Sequence, residues 1–146
     1  MSEKLRVLLA AYGESHRHPH NILIHKFCVP LIFFSVLGLT WDFMIFEIRS
    51  TWILIGLGLL FYSRLGSYAL TIILPQIIIS IAILDYFFTE RSAWPVCLTI
   101  FVLAWIGQFM GHKIEGRKPS FFEDLLFLLI GPIWVVSSII EDKTPN

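Results

Sequence analysis

Residues 51–88 read TWILIGLGLLFYSRLGSYALTIILPQIIISIAILDYFF, a run of 38 residues that is almost continuously apolar. One helix of that length would extend about 57 Å, nearly twice the ~30 Å hydrocarbon core of a bilayer. The run therefore divides into two helices near Arg64–Ser67, where a charge and Gly66 interrupt it. The first of the two is short, with an uninterrupted apolar part from Trp52 to Tyr62. The second is longer and contains Pro75.

On the N-terminal side, Ile22 to Trp41 is another apolar run of about the ~20 residues a span requires. It contains His25, Lys26 and Pro30. Before it, residues 3–14 place Leu5, Leu8, Leu9 and Tyr12 on one stripe, the pattern of a short amphipathic helix that would lie flat on a membrane surface. On the C-terminal side, Asp85, Glu90, Arg91 and Ser92 mark a turn. A further helix runs from about Ala93 to Glu115, and Gly116–Pro119 form a basic linker. The capping-box pattern Ser120-Phe-Phe-Glu123 opens a last helix that ends near Ile140. The expectation is an all-α, polytopic membrane helix bundle of about five helices with a short N-terminal amphipathic helix, 1–146 forming a single membrane-embedded domain.

Composition agrees. The chain is 56% hydrophobic and only 15% charged, with mean hydropathy +0.75; a soluble domain carries about a quarter charged residues. The formal net charge is zero, so nucleic acid is not an expected partner. Cys28 and Cys97 sit inside apolar runs and read as buried hydrophobes rather than a disulfide. The apolar run after Lys4 and Arg6 is too short for a secretory signal.

Polar side chains at membrane depth cost free energy and so point to function. Two groups stand out. In the first, His16-Arg-His-Pro-His20-Asn21-Ile-Leu-Ile-His25, Asn21 and His25 are four apart on one helix face, Pro19 suits a first helical turn, and His16 can fold back over that turn. In the second, Gln108-Phe-Met-Gly-His112-Lys-Ile-Glu115, Gln108, His112 and Glu115 form one polar stripe. Gly107 and Gly111 beside it permit close helix approach, so the stripe faces protein.

Crossing number decides whether the two groups meet. With five crossings, Lys4, Arg6, Arg17, Lys26, Arg64, Lys113, Arg117 and Lys118 share one side, against Arg49, Arg91 and Lys143 on the other. That bias puts the histidines at the cytoplasmic face of a bacterial inner membrane or endoplasmic reticulum. If the short Trp52–Tyr62 helix were re-entrant, His25 and His112 would separate.

Several imidazoles with a carboxylate suit a first-row transition metal. No H-E-x-x-H motif, nucleophile elbow or phosphate-binding glycine loop is present, and five histidines are too few for a histidine-rich di-iron site. Three classes stay open on the residues alone: a non-haem iron oxygenase, a zinc-type lipid hydrolase, and a non-catalytic membrane scaffold or haem carrier. His18 and His20 read more simply as interfacial residues. Glu115 reads equally as a partner for Lys118, and Arg117 and Lys118 as anchors.

The ordered pair H-x4-N-x3-H-x4-P (His16, Asn21, His25, Pro30) and Q-F-M-G-H-x2-E-G-R-x-P (Gln108 to Pro119) resembles a family of small multi-pass membrane proteins. Its characterised members are Fe(II)-dependent dioxygenases that alpha-oxidise 2-hydroxy fatty acids in phytosphingosine breakdown. The resemblance runs from Tyr12 to the Gly131-Pro132 step. It implies Fe(2+) as cofactor and a 2-hydroxy fatty acid and O2 as partners, with membrane lipid around them. His16, His25 and His112 are the implied iron ligands, and His20, four residues from His16, is a weaker extra one. Asn21, Gln108 and Glu115 match the polar positions beside them and are the implied catalytic groups. Lys26, Arg117 and Lys118 would steer the anionic head group, and the apolar bundle and lipid would take the acyl chain.

Overall fold

The computed structural model describes residues 1–116 and 121–141, with side chains for 1–116 and 126–140. The architecture is an all-α bundle, as the apolar runs require. The helices are α1 (Glu3–Glu14), α2 (Pro19–Leu39), α3 (Ser50–Ser63), α4 (Ser67–Phe88), α5 (Trp94–Glu115) and α6 (Phe121–Glu141). Among the described residues three helices, α2, α4 and α5, are long and apolar enough to cross a membrane. α3, with 14 residues, extends about 21 Å at 1.5 Å per residue.

Local chemistry explains the boundaries. α1 is capped by Ser2, whose hydroxyl accepts from Leu5 N and donates to the Leu65 carbonyl, which ties the N-terminus to the α3–α4 turn. α2 begins with Pro19 in its first turn, where the missing N–H has no partner to lose. It therefore starts three residues before the apolar run, and its polar first turn carries His20 and Asn21. α3 and α4 separate at Gly66, whose φ of +104° is disfavoured for any residue with a Cβ. The segment between α2 and α3 contains a small hairpin, β1 (Met44–Ile45) and β2 (Ile48–Arg49), antiparallel with Met44 opposite Arg49. Its two-residue tip, Phe46 and Glu47, has positive φ at both positions.

α2 and α5 form the most extensive helix pair. They run antiparallel: Gly111 lies against Asn21, Gly107 against Cys28, and Gly38 against Cys97. A Cβ at Gly107 would lie 2.6 Å from the Cys28 sulfur, and one at Gly111 would strike the Asn21 side-chain oxygen. The G-x-x-x-G step is thus a contact surface, as its spacing implies. At the opposite end of this pair, Asp42 accepts from Ser92 Oγ (2.6 Å), Ala93 N (3.3 Å) and Trp94 N (3.0 Å). A residue following α2 thereby caps the N-terminus of α5, whose own cap residue, Ala93, supplies no side-chain bond. Burial raises the Asp42 carboxyl, but these bonds and the Arg49 charge outweigh it and hold the pKa below the ordinary carboxylate value.

The core lies between α1, α3, α4 and α6, with Leu5, Leu65, Ile73, Leu84, Ile130 and Ile133 fully buried. α6 packs on α1, α2 and α4. Tyr62 Oη donates to the Leu129 carbonyl at 2.8 Å.

Candidate metal centre

The antiparallel α2–α5 pair brings the start of α2 beside the end of α5. This is the arrangement that an odd number of crossings predicts for the histidines. His25 projects from the second turn of α2, His112 from the last turn of α5, and His16 from the connection between α1 and α2. One nitrogen from each of the three rings lies within 4.8 Å of the others. Ring centroids are 4.2 Å apart for His16–His25, 5.1 Å for His25–His112 and 5.4 Å for His16–His112. His16 and His25 are buried, at 5% and 1% exposure, and His112 is half-buried.

The tautomers follow from the backbone. His16 Nδ1 is 2.6 Å from the Tyr12 carbonyl, and His25 Nδ1 is 2.9 Å from the Asn21 carbonyl. A carbonyl only accepts, so both Nδ1 atoms carry the hydrogen and both Nε2 atoms present a lone pair. This is the usual way a metal-ligating histidine is oriented. His16 Nε2 is buried and has no hydrogen-bond partner among the described residues. An orphaned buried lone pair on a ring clustered with two other imidazoles is the donor set a first-row transition metal fits. Burial, reinforced by the nearby His112, lowers the His16 pKa to about 4 against the opposing pull of the Tyr12 carbonyl, so the ring is neutral at ordinary pH.

The surrounding polar residues hold the histidines. Glu115, half-buried at the end of α5, accepts from Arg17 N at 3.0 Å, His18 N at 2.9 Å and Asn21 Nδ2 at 3.0 Å. The carboxylate thus fixes the segment that carries His16. Asn21 is fully buried and also donates to the Ser15 carbonyl at 3.4 Å. Gln108, at 6% exposure, hydrogen-bonds the His25 ring through its side chain; with Nδ1 engaged by the Asn21 carbonyl, that bond falls to Nε2, where a metal would replace it. His20 is exposed, with its ring 5.2 Å from His18 and outside the three-histidine group. Lys26 is half-buried on α2 beside His25. Arg117 and Lys118 lie outside the described residues, as does Ser120 of the capping box.

Sequence reasoning missed two residues at the site. Tyr12 stacks on His16 with parallel rings 4.2 Å apart, and Trp134 of α6 lies 5.3 Å from the same ring. Tyr12 was legible only as part of the apolar stripe of α1. Trp134 carries no local signal, because α6 packing alone brings it there.

Residues 2–143 match the profile of the family described as 2-hydroxy-palmitic acid dioxygenase Mpo1-like. The chain belongs to the Mpo1-like family. A relative, 2-hydroxy-palmitic acid dioxygenase MPO1 of Saccharomyces cerevisiae, is 30% identical over 138 residues, covering 90% of this chain and 77% of its own. No solved structure matches. The matched span of this Mpo1-like chain contains the three clustered histidines, Asn21, Gln108 and Glu115.

Proposed function

We propose that this chain is a ferrous dioxygenase that oxidises 2-hydroxy fatty acids to acids one carbon shorter, with its histidine centre at the cytoplasmic face of a membrane. The observation that carries the reading is the trio His16, His25 and His112, with two imidazole lone pairs set by backbone carbonyls, in a chain of the Mpo1-like family. The sequence resemblance and the substrate named for the yeast relative support the 2-hydroxy acid.

His16, His25 and His112 would hold the iron. When bound, ferrous iron would supply the redox chemistry for O2. The overall change converts R–CH(OH)–COOH and O2 to R–COOH, CO2 and H2O. The electrons leaving C1 and C2 account for the full reduction of one O2, so no separate reductant enters. Glu115 and Asn21 act as positioning residues for the His16 segment, and Gln108 lies against the His25 nitrogen that the metal would take. Lys26, Arg117 and Lys118 steer the anionic head group by charge. Tyr12, Trp134 and the close α2–α5 contact exclude water from the buried side of the centre.

The test is turnover of 2-hydroxypalmitate by iron-loaded protein under 18O2. Label in the shortened acid is the expected result. Equal turnover without O2 would overturn the reading and favour metal-assisted hydrolysis.

A further inference from the structure

The inner face of α2 does not end its work at His25. His25, Val29, Ile32 and Val36 follow i, i+4, i+7 and i+11 spacing, one stripe of the helix. The last three of these residues line a cavity of about 240 Å³, closed by Ile55 and Gly58 of α3 and by Leu129 of α6. Among the described residues its wall has one polar side chain, Tyr62, and that hydroxyl is committed to the Leu129 carbonyl. The cavity is dry by chemistry, since a water would find no free partner in it.

It also lies next to the histidine centre. Val29, at its near end, is one helical turn from His25. Gly131 of α6 packs against both regions: a Cβ there would lie 3.2 Å from Val29 and 3.1 Å from the Tyr12 hydroxyl, and the Tyr12 ring stacks on His16. One side of the cavity is open, with Leu57 on the rim at 63% exposure.

We propose that this cavity is the acyl-chain site of the same centre, holding the hydrocarbon tail of the 2-hydroxy acid whose head lies at the three histidines. This rests on the dioxygenase reading for the identity of the head group. Dimensions fit a single lipid tail. From His25 to Val36 the stripe extends about 16 Å at 1.5 Å per residue, close to the ~15 Å of one leaflet of hydrocarbon. The volume holds about eight methylenes if each takes roughly the ~30 Å³ of a liquid water molecule. The open rim lets a tail enter sideways from the bilayer, so the substrate need not leave the lipid phase. Gly58 then gauges the chain. Its absent side chain faces open space, the nearest atom to a Cβ there being a Tyr62 ring carbon at 3.9 Å. A larger residue at 58 would therefore grow into the cavity without striking backbone.

The experiment uses 2-hydroxypalmitate with a diazirine on its terminal carbons, photolysed with the full chain in phosphatidylcholine bilayers and mapped by mass spectrometry. Label concentrated on α2 and α3 residues such as Phe33, Val36 and Phe61, and competed by unlabelled 2-hydroxypalmitate, is expected. Label spread evenly over lipid-facing Ile78, Ile79 and Met110 would overturn the site. In a second arm, Gly58→Phe should lower the kcat/KM ratio of 2-hydroxypalmitate over 2-hydroxyhexanoate at least ~10-fold, since each methylene denied burial costs about fourfold. An unchanged ratio would also overturn it. The two claims fail separately: cavity labelling of a protein that turns over neither acid would retain the site and remove the reaction. Turnover with scattered label would do the reverse.

Discussion

Glu115→Gln isolates what the carboxylate does for the centre. The change keeps size and shape but replaces one acceptor oxygen by an NH2 group. In the native protein both oxygens are engaged: one accepts from Arg17 N, and the other accepts from His18 N and Asn21 Nδ2, all within 2.9–3.0 Å. The glutamine must therefore lose at least one of these bonds and set a donor against a donor. Hydrogen bonds to a charged group are worth about 1.5–3 kcal/mol each. Glu115 is half-buried, so solvent screening lowers the net loss to about 1–2 kcal/mol. The loss falls on the segment that carries His16 and leaves the helices holding His25 and His112 intact. We expect roughly tenfold weaker metal binding, measured by anaerobic Co(II) titration of the purified protein, with thermal unfolding little changed. Glu115→Ala should be weaker still. Unchanged Co(II) affinity in both variants would refute the positioning role.

Other outcomes follow from the same geometry. Gly111→Ala puts a Cβ into the Asn21 side-chain oxygen and 3.4 Å from His25 Cε1. It should lower unfolding stability by about 1–3 kcal/mol and remove bound metal, whereas Gly56→Ala, which meets no atom within 4 Å, should do neither. Asp42→Asn weakens the cap on α5 and should cost about 1 kcal/mol in detergent unfolding. Because the folded Asp42 pKa is depressed, its contribution is full above the unfolded value of about 3.9 and is lost as pH falls through the folded value. The gap in Tm between wild type and Asp42→Asn should therefore close on acidification below that point. His20→Ala, at an exposed position outside the histidine trio, should retain bound metal, read by elemental analysis of the purified variant.

Much of this was legible along the chain because the signals are local. The split of residues 51–88 at Arg64–Ser67 needs only a charge and a glycine in an apolar run, and the structure turns there at Gly66. The amphipathic stripe of residues 3–14 coincides with α1. The polar stripe on α5 faces α2 because the two glycines beside it allow nothing bulkier between the helices. The start of α2 was less clear. Hydropathy begins at Ile22, whereas the helix begins at Pro19, its first turn being polar for the sake of the centre. The hairpin at 44–49 gave no signal, since Phe46 and Glu47 are not the residues that favour positive φ in a two-residue turn. Asp42 carries no local signal, because its partners begin 50 residues onward. At the site, the histidines could be chosen by type and spacing. The Tyr12 stack and the approach of Trp134 depend on tertiary packing, which no local pattern encodes.

The central claim is that His16, His25 and His112 form one iron centre for O2-dependent shortening of a 2-hydroxy fatty acid. The direct measurement is O2 uptake against 2-hydroxypalmitate by Fe(II)-reconstituted wild-type protein and by the His16→Ala, His25→Ala and His112→Ala variants. Uptake should match pentadecanoate formed by the wild type mole for mole and vanish in each variant. Full uptake in a protein lacking all three histidines would contradict the account.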